Sequence, residues 1–397
     1  MTVSPASTEE AAKILRAASR AGVAVVPAGA RAWLDANDPL PRSCVVVSTR
    51  GLNRVVSHEP ADLVTTVEAG VTLAGLNDEL ARASQWLPLD PPGGAGATVG
   101  GVVATNAAGA RSFAYGSPRA FVLGMTVVLA DGRIIRVGGR VVKNVAGYDL
   151  SKLFAGSYGT LGLVTEITFK LRPRPEREAS VFARAHDTDA AFAAARLVVA
   201  GQFVPAAVEV TGYLDGTVPN ADLFVGFAGS ASSVESQLER AVTLLAQSGH
   251  AAGVSVCEDD PLRWEEESAT SVEEWLLLRV GALPSRLPEV ARRLDRLAGA
   301  CETVRWRAHA DAGRLRVSIK PRRDYAACAE AVARLRGEVQ TLGASLVVEV
   351  ACGEARRALE AIKFDPWGVG ESSLRLMRRV KERLDPRGLF SPGLFFA

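Results

Sequence analysis

The sequence predicts an α+β protein of two domains, and three observations carry that expectation. Strand-like and helix-like runs alternate through the first 175 or so residues around three glycine clusters. From Val181 to Val350 a β-α-β-β-α pattern is used twice, with weak internal similarity, which suggests two ferredoxin-like halves sharing one sheet. Between these parts, Arg172-Pro173-Arg174-Pro175-Glu176 disrupts helix and sheet alike, because proline fixes φ and donates no hydrogen bond. At 397 residues, 48% of them hydrophobic, the chain can fill two cores.

The elements follow in order. Ser7 or Thr8 caps a first helix, in which Ala11, Ile14, Leu15 and Ala18 recur at helical spacing. Strands are expected at 23–26, 44–48 and 63–68, a helix at 73–83, and two further strands at 121–130 and 133–137. Asp131-Gly132 between the last two favours a two-residue hairpin turn. A short helix at 150–154 precedes a strand at 164–171 that alternates Ile167, Phe169 and Leu171 with Thr168 and Lys170. The doubled pattern places strands at 181–185, 207–211 and 221–227 with helices at 188–200 and 232–247. It then places strands at 275–280, 303–309, 314–319 and 345–350 with helices at 287–297 and 325–342. A last helix, 371–384, ends at Asp385-Pro386, and the apolar tail after it is expected to pack back on the first domain. The domain boundaries read 1–175, 176–365 and 366–397.

Composition narrows the function. A formal net charge of +2 offers neither a nucleic-acid groove nor a polybasic membrane patch. The first twelve residues lack a basic-then-apolar leader, and no stretch has the apolar length to cross a bilayer, so a cytoplasmic protein is expected, peripheral to the membrane at most through partners. Cys44, Cys257, Cys301, Cys328 and Cys352 form no C-x-x-C pair for zinc or an iron-sulfur cluster, and most read as buried free thiols.

The chemistry is concentrated in the glycines. Pro91-Pro92-Gly93-Gly94-Ala95-Gly96-Ala97-Thr98-Val99-Gly100-Gly101 reads as a diphosphate cradle. Its glycines allow close approach of backbone, and the free N–H groups of a helix opening at Thr98 to Gly101 would face the phosphates. A side chain at Gly100 is expected to fill the phosphate space. Gly156-Ser157-Tyr158-Gly159-Thr160-Leu161-Gly162 and Pro27-Ala28-Gly29-Ala30-Arg31 are two further clusters. A flexible loop is the ordinary meaning of any one of them, but three in one domain point to a nucleotide site. A Rossmann site fits poorly: counting G-x-G-x-x-G from Gly94 puts Val99 at the last glycine, and the proline-rich 86–92 segment is no buried strand.

The run from Leu63 to Arg172 resembles the FAD-binding domain of the vanillyl-alcohol-oxidase (PCMH) type. It carries Val67-Glu68-Ala69-Gly70-Val71, Thr105-Asn106-Ala107-Ala108-Gly109, Tyr115-Gly116 and Gly147-Tyr148-Asp149-Leu150 around the clusters. With Leu384-Asp385-Pro386-Arg387-Gly388-Leu389-Phe390-Ser391-Pro392-Gly393, the likeness extends to the C-terminus. Lys143-Asn144-Val145-Ala146-Gly147-Tyr148-Asp149 and the short middle domain look most like the E-type FAD-binding subunits of bacterial glycolate oxidases. The resemblance implies a two-subdomain FAD fold with a ferredoxin-like α+β cap. It places Ala28, Gly29, Ala30, Arg31, Pro92, Gly93, Thr98, Gly100 and Gly101 at the pyrophosphate, Thr105, Asn106, Gly109 and Gly116 by the ribityl chain and ring, and Gly156, Ser157, Gly159, Thr160, Gly162 and Val164 at the flavin and adenine ends. Relatives that attach FAD covalently use a histidine in the first loop; Ala28 to Arg31 has none, so FAD is expected to be held noncovalently.

Metal-dependent 2-hydroxyacid dehydrogenases of this type carry a paired-histidine element where this chain has His309 to Arg316. Arg316 stands at the second histidine, and a cation is no metal ligand, so no metal is expected. His309, Arg111 and Arg279 are candidates for catalysis, with Lys320 a further candidate for the carboxylate, although a structural histidine and surface cations are their commoner roles. Trp264 and Trp275 read as core. The resemblance implies oxidation of a small 2-hydroxy acid in a complex with an iron-sulfur subunit and a second flavoprotein. The alternative is an accessory flavin-carrying subunit that relays electrons or stabilises the complex.

Overall fold

A computed structural model describes residues 1–30, 43–139, 148–214, 220–258, 275–310 and 312–394. Arg31, the 143–147 motif and Trp264 lie outside the described residues. The chain divides into two compact units, 1–109 with 116–174 and 369–397, and 110–115 with 175–368.

In the first unit, helix Thr8–Ala21 begins where the Ser7 hydroxyl accepts the Glu10 N–H and ends where Gly22, at φ 67°, directs its N–H to the Ala18 and Ser19 carbonyls. Its apolar stripe, Ala11, Leu15 and Ala18, joins two sheets into one core. Val25 and Val47 come from a parallel sheet of Thr2–Val3, Cys44–Ser48 and Ala24–Ala28, and Val128 and Leu163 from an antiparallel one. That five-stranded sheet runs Val55–Glu59, Val64–Glu68, Leu163–Lys170, Val122–Val128, Ile134–Gly138. The hairpin between its last two strands is a residue longer than expected. Leu129 N–H donates to the Arg133 carbonyl, and Gly132 N–H, at φ 79°, donates back to the Leu129 carbonyl, so the loop is Ala130-Asp131-Gly132.

The C-terminal tail completes this unit. Val25 N–H donates to the Leu389 carbonyl at 2.8 Å and Ser391 N–H to the Val25 carbonyl at 2.8 Å, adding Phe390 beside strand Ala24–Ala28. The Phe390 ring is fully buried in the shared core, which contributes about 1.5–3 kcal/mol.

The second unit is built on an antiparallel sheet of eight strands. Their order is Ala251–Cys257, Arg177–Ala185, Asn220–Gly229, Ala207–Leu214, Cys301–His309, Arg314–Pro321, Leu276–Gly281, Ser345–Ala351. Each half has the ferredoxin-like order, and the halves meet where Glu209↔His309 through Leu214↔Val304 pair antiparallel. Period-two alternation sorts the faces: Leu315, Val317 and Ile319 are buried with Val304, Trp306 and Ala308, while Arg314, Arg316, Arg305 and Arg307 take the opposite side. Helices Thr188–Ala200, Ala231–Gln247, Leu287–Arg293 and Tyr325–Gln340 cover the apolar face, and Phe192 stacks on Trp306 with centroids 6.1 Å apart. Trp275 is not core: it is half-buried, with the Arg305 guanidinium 5.7 Å above its ring. The 110–115 segment belongs here because Ala110 packs between Ala207 and Phe224.

Candidate cofactor site and polar sheet face

The three glycine clusters converge in the first unit, and they do so by packing on one another. A Cβ at Gly29 would collide with the Thr98 side chain, so the first loop lies against the second. One at Gly159 would come within 3.0 Å of Pro27, and one at Gly156 within 3.5 Å of the Asn106 Cβ, so the third loop touches both others. Backbone hydrogen bonds reinforce the arrangement. Helix Val99–Thr105 ends at Asn106 in the left-handed region, φ 51°, and its last carbonyls are taken by the third loop: Gly156 N–H donates to Val103 at 3.0 Å and Tyr158 N–H to Ala104 at 2.8 Å.

Two expectations about the cradle are corrected. The helix N-terminus has no idle donors: Val99 N–H goes to the Val71 carbonyl and Gly100 N–H to Ala69, each at 2.9 Å, while Gly101 N–H goes to Thr98 Oγ1. Gly100 does not border empty space either. A Cβ there would stand 2.7 Å from the Ala69 carbonyl oxygen, so its glycine permits helix and strand end to touch. Gly109 is a glycine for the same reason, against Asp90, and Gly162 against Val127. The open part of the loop lies just before. A Cβ at Gly94 or Gly96 would meet nothing within 4 Å. Gly93 and Gly94 hold φ of 93° and 71°. Among the described residues, the N–H groups of Gly93, Ala95 and Gly96 take no protein partner. Three exposed, unpaired N–H groups, interrupted only by Gly94, whose N–H donates to the Pro91 carbonyl, suit an anionic oxygen, so these residues fit a pyrophosphate better than the helix end does.

The remaining candidates fall around this junction. Ala28 is buried and Ala30 half-buried beside Gly29. Pro92 is half-buried at the head of the open strip. Thr105 Oγ1 donates to the Gly101 carbonyl at 2.8 Å, and Asn106 Oδ1 accepts the Arg119 N–H at 2.9 Å. Gly116, at φ 87°, follows the turn 112–115. Ser157 carbonyl accepts Thr160 Oγ1 at 2.7 Å, and Val164 is buried in strand Leu163–Lys170 opposite Val127. The Thr160 carbonyl accepts Lys381 Nζ at 2.6 Å, and that ammonium also donates to Phe390 O at 2.8 Å and to Asp385 Oδ2 at 2.6 Å. Burial lowers the Lys381 pKa while the Asp385 hydrogen bond and charge oppose that. This clamp ties the last helix, Glu371–Leu384, to the third glycine loop; no sequence signal distinguished Lys381 from its basic neighbours.

The catalytic candidates all have acidic partners in the second unit. His309 Nδ1 stands 3.1 Å from Glu209 Oε1, with both residues within 3% of full burial and Arg307 Nε 3.9 Å from Glu209 Oε2. Burial, then Arg314, Arg316 and Arg307, hold the His309 pKa well below the usual imidazole value, so the ring is neutral. Arg279 Nε donates to Glu349 Oε1 at 2.7 Å, and Arg316 lies 3.7 Å from the other oxygen. Burial works against ionisation of Glu349, but Arg316 and Arg279 outweigh it and hold the carboxyl below its ordinary pKa. Arg111 reaches both Glu178 oxygens, at 3.1 and 3.2 Å. Lys320 pairs with Glu302 at 3.2 Å. Strand register brings His309, Arg307, Arg316 and Arg279 together on the polar face, through Arg307↔Arg316 and Arg279↔Arg316; Arg111 is not among them. Glu209 and Glu349 were missed in the sequence, although a lone acid within Val208-Glu209-Val210 or Val348-Glu349-Val350 is the period-two mark of a charge held on one face of a strand. Among the described residues, no three His, Cys, Asp or Glu side chains assemble as metal ligands.

A chain with this glycine-loop unit and a doubled ferredoxin-like unit is a flavoprotein by class, and the comparisons place it. Residues 1–138 match the FAD binding domain family and residues 217–394 the C-terminal domain of FAD linked oxidases. The chain belongs to the FAD-linked oxidoreductases and uses FAD as cofactor. It is 31% identical over 421 residues to an uncharacterized FAD-linked oxidoreductase of Mycobacterium tuberculosis, MT2338, covering 99% of this chain and 90% of that one. Glycolate oxidase subunit GlcD of Bacillus subtilis is 27% identical over 100% of this chain and 88% of its own. Glycolate oxidase subunit GlcE of Escherichia coli is 47% identical over 128 residues, 32% of this chain and 37% of its own. An alkyldihydroxyacetonephosphate synthase structure shares the fold at a TM-score of 0.73 and 16% identity, over 99% of this chain and 76% of that one. Among the described residues, no helix is long and apolar enough to cross a membrane.

Proposed function

We propose that this chain is the FAD-binding subunit of a complex that oxidises glycolate or a similar 2-hydroxy acid, with FAD held noncovalently at the junction of the three glycine loops. The carrying observation is that junction. Gly29 and Thr98, Pro27 and Gly159, and Asn106 and Gly156 bring the loops together beside the open 93–96 strip, whose N–H groups would hold the pyrophosphate. Bound there, FAD supplies the acceptor for two electrons and a hydrogen from the carbon that bears the substrate hydroxyl. The likeness to two glycolate oxidase subunits supports the substrate class and the need for partner subunits; a second flavoprotein and an iron-sulfur protein are the partners proposed. The chain's own part would be to orient and shield the cofactor, with Thr105, Asn106, Gly109 and Gly116 on the side of the ribityl chain and ring and Gly156 to Gly162 at the flavin and adenine ends.

A second reading, an accessory flavin carrier, is favoured by the state of the polar face. A general base must be free to accept a proton, and a carboxylate-binding arginine must be free to pair. His309 is sealed against Glu209, and Arg279 and Arg316 share Glu349. Anaerobic titration of the isolated holoprotein with glycolate or D-lactate separates the two. Bleaching of the flavin by the isolated chain establishes a dehydrogenase; bleaching only when the partner subunits are added establishes the carrier; no bleaching by 2-hydroxy acids in the complete complex overturns the substrate class.

A further inference from the structure

We propose that Cys301 and Cys328 form an oxidisable dithiol, a modification site at the edge of the second unit that closes to a disulfide when a peroxide reaches it. Cys301 opens strand Cys301–His309, and Cys328 sits in the first turn of helix Tyr325–Gln340. Their sulfurs are 3.8 Å apart, and both residues are buried, at 2% and 1% exposure. At 3.8 Å the sulfurs are in van der Waals contact, and closing a bond brings them together by a further ~1.8 Å. Twenty-seven positions separate them, so the contact is tertiary.

The two thiols are not equivalent. The hydrogen bond from Cys328 favours the Cys301 thiolate, burial opposes it, and Arg322 favours it, for a pKa below the ordinary value; the Cys328 thiol is pushed up. Arg322 is placed for this by its own hydrogen bond, Nε to the Cys301 carbonyl at 3.0 Å. Cys301 is therefore the attacking sulfur and Cys328 the resolving one. Glu302, Arg322, Arg323 and Asp324, which flank the starts of the two elements, are exposed, so access of a peroxide to the buried thiols requires only a local opening at this end of the strand and helix.

The chemistry balances without any other group. The Cys301 thiolate attacks one peroxide oxygen, the O–O bond breaks, and the departing hydroxide takes a proton to leave as water, giving a sulfenic acid. The Cys328 sulfur then attacks the Cys301 sulfur, the S–S bond forms as the S–O bond breaks, and a second water leaves. Two thiols lose two electrons and one peroxide becomes two waters. The new bond would fasten the first turn of the helix to the start of its strand.

The test uses the full chain with Cys44 and Cys257, the half-buried and exposed thiols, changed to serine to suppress intermolecular linkage. It is exposed to hydrogen peroxide in native buffer, quenched with catalase, alkylated during unfolding and mapped without reductant. The expected result is a linked peptide pair carrying Cys301 and Cys328, lighter by two hydrogens (about 2 Da) and dispersed by dithiothreitol. It should be absent when Cys328→Ser is added. Recovery of both thiols alkylated, or of Cys301 as sulfinic acid with Cys328 alkylated, would overturn the proposal. Because mass is read on the parent chain, the outcome is independent of whether the serine variant folds and of flavin function.

Discussion

Replacing Asp385 by alanine is expected to loosen the C-terminal clamp by about 3 kcal/mol, a value at the low end for removing one partner of a buried ion pair. The carboxylate is fully buried and serves three donors: Leu389 N–H at 3.0 Å, Phe390 N–H at 2.7 Å and Lys381 Nζ at 2.6 Å. Lys381, with a side chain 12% exposed, would stay behind as a charge with only the Thr160 and Phe390 carbonyls for partners. Those two carbonyls are the reason for choosing the low end. The segment they hold pairs with Val25 through the Leu389 carbonyl and the Ser391 N–H. Native-state hydrogen exchange at Val25 and Ser391 should therefore accelerate roughly a hundredfold, the equivalent of about 3 kcal/mol. Lys381→Met/Asp385→Ala should recover part of that loss, because it removes the orphaned charge. Retained protection, within about threefold of the parent, would refute the clamp; a double variant worse than the sum of the two singles would show that the lysine is not stranded.

Five further expectations follow. Gly100→Ala should cost about 1–3 kcal/mol in guanidinium unfolding because Ala69 must give way. Gly96→Ala, with nothing within 4 Å, should leave the apoprotein's midpoint unchanged, so any rise in its FAD dissociation constant reports the ligand itself. His309 titrates well below its unfolded value of about 6.5. As pH falls below that value the unfolded chain binds the proton first, and stability should drop by up to about 1.4 kcal/mol per unit until the folded pKa is reached; in His309→Gln that component of the urea midpoint's pH dependence should vanish. Acid precipitation should leave colourless protein and free FAD in the supernatant, and yellow precipitate would contradict noncovalent attachment. Turnover in the assembled complex should survive a chelator, and restoration of lost activity by zinc or manganese would expose a metal site.

The elements legible in the sequence were those whose pattern is set by burial. Thr188–Ala200 matches the expected bounds because its Asp187 cap and buried apolar spacing coincide; Glu371–Leu384, which buries no residue, was bounded instead by the Asp385-Pro386 stop. Strand Ala251–Cys257 was missed because it is an edge whose residues are mostly exposed on both faces, so no alternation marks it. Val55–Glu59 was missed for a related reason: it is also an edge, and Ser57, His58 and Glu59 dilute its apolar signal. The α+β class and the shared ferredoxin-like sheet survived these omissions, since each half keeps enough interior strands to declare its order.

The candidate site was legible in kind but not in reason. Glycine composition announces that backbone comes close to something, and it cannot say whether that something is a phosphate or another strand of the same protein. Here the two cases occur within eight residues of each other. At Gly100 the neighbour is the Ala69 carbonyl, and at Gly94 and Gly96 the protein offers no neighbour. The distinction needs the tertiary position of Ala69, thirty-one positions earlier in the chain, and so lies beyond any local pattern. The same holds for the arginines. Alternation in Arg314-Leu315-Arg316-Val317 puts both cations on one face, but only strand register sets Arg316 opposite Arg279 and gives both of them Glu349. An arginine that a sequence offers as a free carboxylate binder is thus already neutralised, and the catalytic question becomes whether substrate can displace Glu349. Glu349→Gln decides it: if the face binds substrate, releasing both guanidinium groups should tighten glycolate binding to the complex, and an unchanged dissociation constant would place the substrate elsewhere.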